Sequence, residues 1–133
     1  MITIESEIFT ELANALRAVY EDIFISGEYV MAPSKFPSVS IEESDNYTAV
    51  NELDTGEDRH AVVMYEINVY TNKTVGKKTQ AKDILAIIDG LLTGKNFTRV
   101  SSIPVPNIDN SIYRITARYR AETDGTSVYR YTL

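Results

Sequence analysis

Cysteine and tryptophan are both absent from this chain, and histidine occurs once, at His60. Without cysteine there can be no disulfide and no cysteine-ligated zinc, and the composition fits a reducing compartment. Cations are outnumbered: 13 Lys and Arg face 19 Asp and Glu, for a net charge of −6. A general affinity for nucleic acid or for an anionic membrane is therefore not expected. No apolar run approaches the roughly 20 residues that span a bilayer. The opening Met1-Ile2-Thr3-Ile4-Glu5-Ser6-Glu7 has neither a basic segment nor a continuous apolar one, so no signal peptide is expected. The triplets Asn46-Tyr47-Thr48, Asn72-Lys73-Thr74 and Asn96-Phe97-Thr98 then carry no glycosylation meaning. No internal repeat or low-complexity segment interrupts the chain.

What is present suits one globular domain over residues 1–133, with 44% hydrophobic and 24% charged residues. There are nine tyrosines and four phenylalanines. Most of these tyrosines fall in strand-like stretches of the second half, where β-propensity and half-burial account for them. A contact surface is the alternative, since tyrosine offers rigid area with a polar end.

Ile4, Ile8, Leu12, Ala15, Leu16, Val19 and Ile23 recur at three- and four-residue spacing, which predicts a helix over about Ser6 to Tyr20 with Ser6 as its cap. Ala32-Pro33-Ser34-Lys35-Phe36-Pro37 breaks regular structure. Val39 and Ile41 alternate with Ser38, Ser40 and Glu42 as a short strand with one wet face, and Tyr47 to Glu52 reads as a second weak strand. A polar, mostly acidic loop from Glu52 to His60 then joins it to a strong strand, Ala61 to Thr71, as a projecting hairpin. Thr74 can cap a second helix that buries Ala81, Ile84, Leu85, Ile88, Leu91 and Leu92, with Gly94 as its left-handed end. Strands follow at Phe97 to Ile103, at Ser111 to Ala121 and, after an Asp124-Gly125 turn, at Ser127 to Leu133 with Tyr129, Tyr131 and Leu133 inward. The order predicts an α+β fold: a mostly antiparallel sheet with both helices on one face.

No catalytic set assembles from these residues. Gly90-Leu91-Leu92-Thr93-Gly94-Lys95 imitates a phosphate loop but is one residue short and lies at a helix end, whereas phosphate binding needs a helix start. His60 is flanked by Asp54, Glu57 and Asp58 without a recognised ligand spacing, so a solvated tip is favoured over a metal site or a small metal-dependent hydrolase. Glu42, Glu43 and Asp45 could supply a carboxylate pair, though nothing indicates a cleft. Neither a metal nor a cofactor is expected.

Arg114, Arg118 and Arg120 share the even face of one strand with Thr116, and Arg130 lies on the next. Such a row must meet water, carboxylates or a partner. Pairing with Glu66 and its neighbours inside the monomer is one use. The other is a subunit interface with acids of a second copy, such as Glu52, Asp54, Glu57 and Asp58 of the acidic loop, in a head-to-tail contact that closes into a ring.

The strand Tyr65-Glu66-Ile67-Asn68-Val69-Tyr70, the run from Lys77 to Leu92 and Gly94, then Phe97-Thr98-Arg99 and Pro104 to Arg114 resemble the tail-completion proteins of tailed bacteriophages. More narrowly, they are similar to the tail terminator (tail-to-head joining) group of clostridial and bacillar prophages and phage-tail-like particles. The likeness covers about Pro37 to Ala121 and its motifs are structural. It implies a non-enzymatic subunit of a ring, a hexamer, that caps the tail tube, ends its polymerisation and presents a surface to the head connector. It also implies a location in the virion after assembly in the host cytoplasm, with DNA passing without sequence-specific binding through a lumen whose wall the acidic loop of Glu52, Asp54, Glu57 and Asp58 would suit. Another neck or head-completion component of the same particle is the alternative within that resemblance.

Overall fold

The computed structural model describes residues 1–28, 33–48, 60–106 and 109–129. Among them α1 spans Glu5–Arg17, β1 Phe24–Ser26, β2 Ser38–Thr48, β3 Ala61–Thr71, α2 Lys77–Gly94, β4 Thr98–Val105, β5 Tyr113–Thr123 and β6 Val128–Tyr129. The sheet runs β1-β2-β3-β5-β4, with β6 also paired to β5. Every pairing is antiparallel except β1 with β2. This is the expected α+β architecture.

The centre of the sheet is the unbroken ladder between β3 and β5, from Ala61 opposite Thr123 to Thr71 opposite Tyr113. Side chains alternate along both strands, so Val63, Tyr65, Ile67 and Val69 share a face with Ala121, Tyr119, Ala117 and Ile115. All eight are buried, and Ile8, Leu12 and Leu16 of α1 with Ile84, Ile88 and Leu92 of α2 join them in one core. Both helices therefore cover the same face. Each fully buried large apolar side chain contributes about 1.5–3 kcal/mol, which is why this face sets the register.

Several boundaries depart from the sequence expectation, each for a local reason. Helix α1 ends at Arg17, and Val19, expected on its apolar face, is exposed. Its cap position is Ile4 and not Ser6; Glu5 and Glu7 in the first turn and Arg17 in the last complement the helix dipole instead. Thr74 does not cap α2, which starts after Gly76 in the left-handed region (φ 85°). Gly94 is the last helical residue. The left-handed position is Asn96 (φ 71°), where the Asn96 amide donates to the Thr93 carbonyl and the Phe97 amide to the Leu92 carbonyl. That pair of bonds is a Schellman closure with asparagine in the glycine position, and buried Phe97 seals it.

The short strand expected around Val39 and Ile41 continues to the first two residues of the second expected one, Tyr47 and Thr48; residues 49–52 lie outside the described residues. β2 runs from Ser38 through Thr48, and a bulge between Glu43 and Asp45 absorbs the polar interruption. The bulge leaves the Glu43 amide to the Glu5 carboxylate of α1, at 2.9 Å. Ser38 and Ser40, expected to be wet, are buried at 2% exposure. Pro104, expected to end the preceding strand, lies within β4, an edge strand whose outward side needs no donor there. Tyr129 points out rather than in, at 43% exposure. Tyr131 and Leu133, the hairpin tip and the acidic residues Glu52, Asp54, Glu57 and Asp58 lie outside the described residues.

Candidate functional site

The face of the sheet without helices carries the even positions of β3 and β5. Here Tyr70 stands opposite Arg114, Asn68 opposite Thr116, Glu66 opposite Arg118 and Met64 opposite Arg120. The three arginines thus share the helix-free face, as the alternation requires; Arg130 lies outside the described residues. Arg118 Nε and Nη2 donate to Glu66 Oε1 at 3.1 and 2.8 Å, so the intramolecular alternative holds for this residue in the single chain. Arg114 Nε and Nη2 donate to Asn68 Oδ1 at 3.1 and 2.8 Å, and its guanidinium lies 5.4 Å from the centre of the Tyr70 ring. Thr116 Oγ1 donates to the same oxygen at 2.7 Å. Three donors on one buried amide oxygen fix the middle of this face.

On the other flank of Glu66 stands Glu42 of β2, directly opposite in the register. A glutamate beside a glutamate leaves one carboxylate for Arg118 and one without an ion-pair partner among the described residues. Glu42 and Glu43 point to opposite faces, because Glu43 is opposite Tyr65 on the helix side. Glu42 and Glu43 therefore do not pair, while Asp45, beyond the bulge and opposite Met64, shares the helix-free face with Glu42. Instead Glu43 Oε1 accepts from Tyr65 Oη at 3.4 Å and from Asn46 Nδ2 at 3.3 Å. Burial first, then the nearby Glu5 charge, pushes the Glu43 carboxyl above its ordinary range.

A second constellation sits on the helix side, where α2 stops short of covering the edge strand β4. An open trough of about 440 Å³ lies there, with Leu85, Pro104, Tyr113 and Ile115 among its walls and Lys78, Lys82 and Arg99 at its rim. Asp89 is its one carboxylate, and it is already engaged: Oδ1 accepts from Tyr119 Oη at 2.8 Å and from Arg99 Nη1 at 3.1 Å. Burial and that hydrogen bond push the Tyr119 phenol well above its ordinary value. Sequence reasoning missed this trough. Its signal was the start of α2, where lysines occupy positions 77, 78 and 82 and the first turn holds no acid. Lys77 and Lys78 lie in the first turn, at the positive end of the helix dipole, where cations are mildly unfavourable, and Lys82 follows one turn on.

His60 precedes β3 and is half-buried, with Nδ1 2.8 Å from Glu122 Oε2 and its ring stacked on Tyr129 at 5.4 Å. Tyr129 Oη donates to Asp124 Oδ2 at 3.1 Å, while the amides of Ser127 and Thr126 hold the Asp124 carboxyl below its usual range. Among the described residues no three His, Asp or Glu side chains converge to hold a metal ion. No described helix is long and apolar enough to cross a membrane.

No family model matches the chain, and no curated protein matches it.

Proposed function

We propose that this chain is a structural subunit that works by associating with copies of itself, in the manner of the tail terminators that its sequence resembles. In that reading a ring of subunits, a hexamer, caps a phage or phage-tail-like tube, stops its growth and offers a surface to the head connector, with DNA passing through the lumen. The observation that carries the reading is the one-sided sandwich. Both helices lie on one face of the sheet, and the opposite face presents a charge ladder of Arg114, Arg118 and Arg120 beside Glu66 and Glu42. A sheet face patterned with both signs of charge suits contact with another protein better than it suits chemistry on a small substrate.

Light scattering and electron microscopy of the pure protein, alone and mixed with tail tubes, test this directly. Rings, or caps at tube ends, are the expected result. Persistent monomer under both conditions would overturn it. Deleting the gene separates the two roles within the particle: tails of uncontrolled length mark a terminator, whereas normal tails beside unjoined heads mark another neck component.

A further inference from the structure

The trough between α2 and β4 offers about 440 Å³, and the ladder on the opposite face does not involve it. Its chemistry is unusual for this protein. On a chain of net charge −6, Lys77, Lys78, Lys82 and Arg99 lie on or beside one groove. The three lysines form no ion pair among the described residues, and Asp89 is committed to Arg99 and Tyr119. Between the cations the wall is apolar, formed by Leu85, Pro104 and Tyr113. Basic rim and apolar floor together select an acidic segment that carries an apolar anchor.

Of the acidic segments in the chain, the one with the most carboxylates spans residues 52–58. Glu52-Leu53-Asp54-Thr55-Gly56-Glu57-Asp58 holds four carboxylates around a single apolar residue, Leu53. Of the three acids of α1, Glu5 is bonded to the Glu43 amide and Glu11 to Lys95, which leaves Glu7 as a single competing carboxylate. We infer that this acidic segment of one copy docks in the lysine trough of the next.

To engage the far, lysine-bearing end of the trough, the contact is made between copies. Thr48 and Ala61, which bracket the segment, pair with each other beside Thr123, at one end of β5. Tyr113, in the trough, is the other end of this 11-residue strand, about 33 Å away. Lys77 and Lys78 lie near that far end, since β3 leaves the sheet at Thr71, opposite Tyr113, just before α2 begins. A chain that must go out and return over the gap from Thr48 to Ala61 extends at most ~20 Å from its root. It falls short of the far end of the trough, where Lys77 and Lys78 lie, while its near end at Arg99, opposite Tyr119, is within that distance. Donor and acceptor are then different surfaces of one molecule, which makes the contact head-to-tail and able to close into a ring.

This inference rests on the self-assembly reading above, and a charge-swap experiment separates the two. One variant carries Lys78→Glu and Lys82→Glu; the other carries Glu57→Lys and Asp58→Lys. Sedimentation of the wild type decides whether the chain associates at all, with circular dichroism confirming that each variant is folded. Each variant alone should associate at least about tenfold more weakly than wild type, because like charges then face each other across the contact. Mixed in equal amounts, the two should recover association near the wild-type level, since every acidic trough then meets a basic segment and every basic trough an acidic one. Wild-type assembly that neither variant weakens, or that mixing does not restore, overturns the trough contact and leaves self-assembly standing. A wild type that remains monomeric at every concentration overturns both.

Discussion

Arg118 of β5 places Nε and Nη2 on a single oxygen of Glu66 on β3, at 3.1 and 2.8 Å, while the facing residue on β2 is another glutamate, Glu42. The pair is partly open to water, with side-chain exposures of 45% and 23%, so it contributes only about 0.2–1 kcal/mol to the monomer. Arg118→Glu sets three carboxylates abreast on adjoining strands. The monomer should stay folded but lose about 1–2 kcal/mol, read as a lower denaturation midpoint that recovers in part with added salt. If the row also meets a second copy, the same change weakens assembly. Unchanged assembly would remove the arginine row from the interface, and an unfolded product would show that the row is needed within the monomer.

The strong elements were legible because one face of each carries an unbroken apolar period. Val63, Tyr65, Ile67 and Val69 could only be one side of a half-buried strand, and Ala81, Ile84, Leu85 and Ile88 only one side of a helix. The polar choices were not legible. Ser38 and Ser40 read as wet, yet they are buried with Asn68 on the face that lacks helices, where Arg114 and Thr116 close over Asn68. A bulge cannot be seen in the letters Glu43-Ser44-Asp45, which look like the end of a strand and are its bend. The trough was hidden because α2 and β4 meet only in three dimensions; the sequence offered three lysines at a helix start and no reason to connect them with Arg99 or Tyr113.

Asn68 should be the most sensitive polar position on the open face. Its side-chain oxygen accepts from Arg114 twice and from Thr116 once, and the residue is 1% exposed. Asn68→Ala removes the acceptor that the buried Thr116 hydroxyl shares with Arg114, an effect of about 1–3 kcal/mol. Thr116→Val removes one donor and leaves the acceptor with its arginine, so it should cost less, about 1 kcal/mol or below. Chemical denaturation of both variants gives the comparison, and equal losses would contradict the picture of Asn68 as the hub.

Tyr119 and Asp89 tie the trough to the core. Tyr119→Phe keeps the buried ring and deletes the 2.8 Å bond to Asp89, for an expected loss of about 1–2 kcal/mol. Asp89→Asn keeps an acceptor for the phenol but removes the charge that holds Arg99, so it should change stability less while adding net positive charge to the trough. If the trough receives an acidic segment, Asp89→Asn should strengthen self-association and Tyr119→Phe should leave it unchanged at temperatures where the protein is folded. Sedimentation equilibrium at two salt concentrations measures both effects.

Glu43 offers a test in pH. Burial and the Glu5 charge raise its carboxyl above the ordinary value, so the folded state binds this proton more tightly than the unfolded chain does. Its contribution is then least favourable at neutral pH, where the buried carboxylate is charged. It improves as pH falls through the raised folded value towards the unfolded one of about 4.3, and is flat below that. Glu43→Gln removes the charge and keeps an oxygen for the Tyr65 hydroxyl and the Asn46 amide, which now hold Oε1 at 3.4 and 3.3 Å. The variant should therefore melt higher than wild type at pH 7, with the gap narrowing as the pH is lowered to 4. Melting curves across that range decide the matter. A gap that widens on acidification would mean that the Glu43 charge stabilises the bulge, and that its hydrogen bonds outweigh desolvation there.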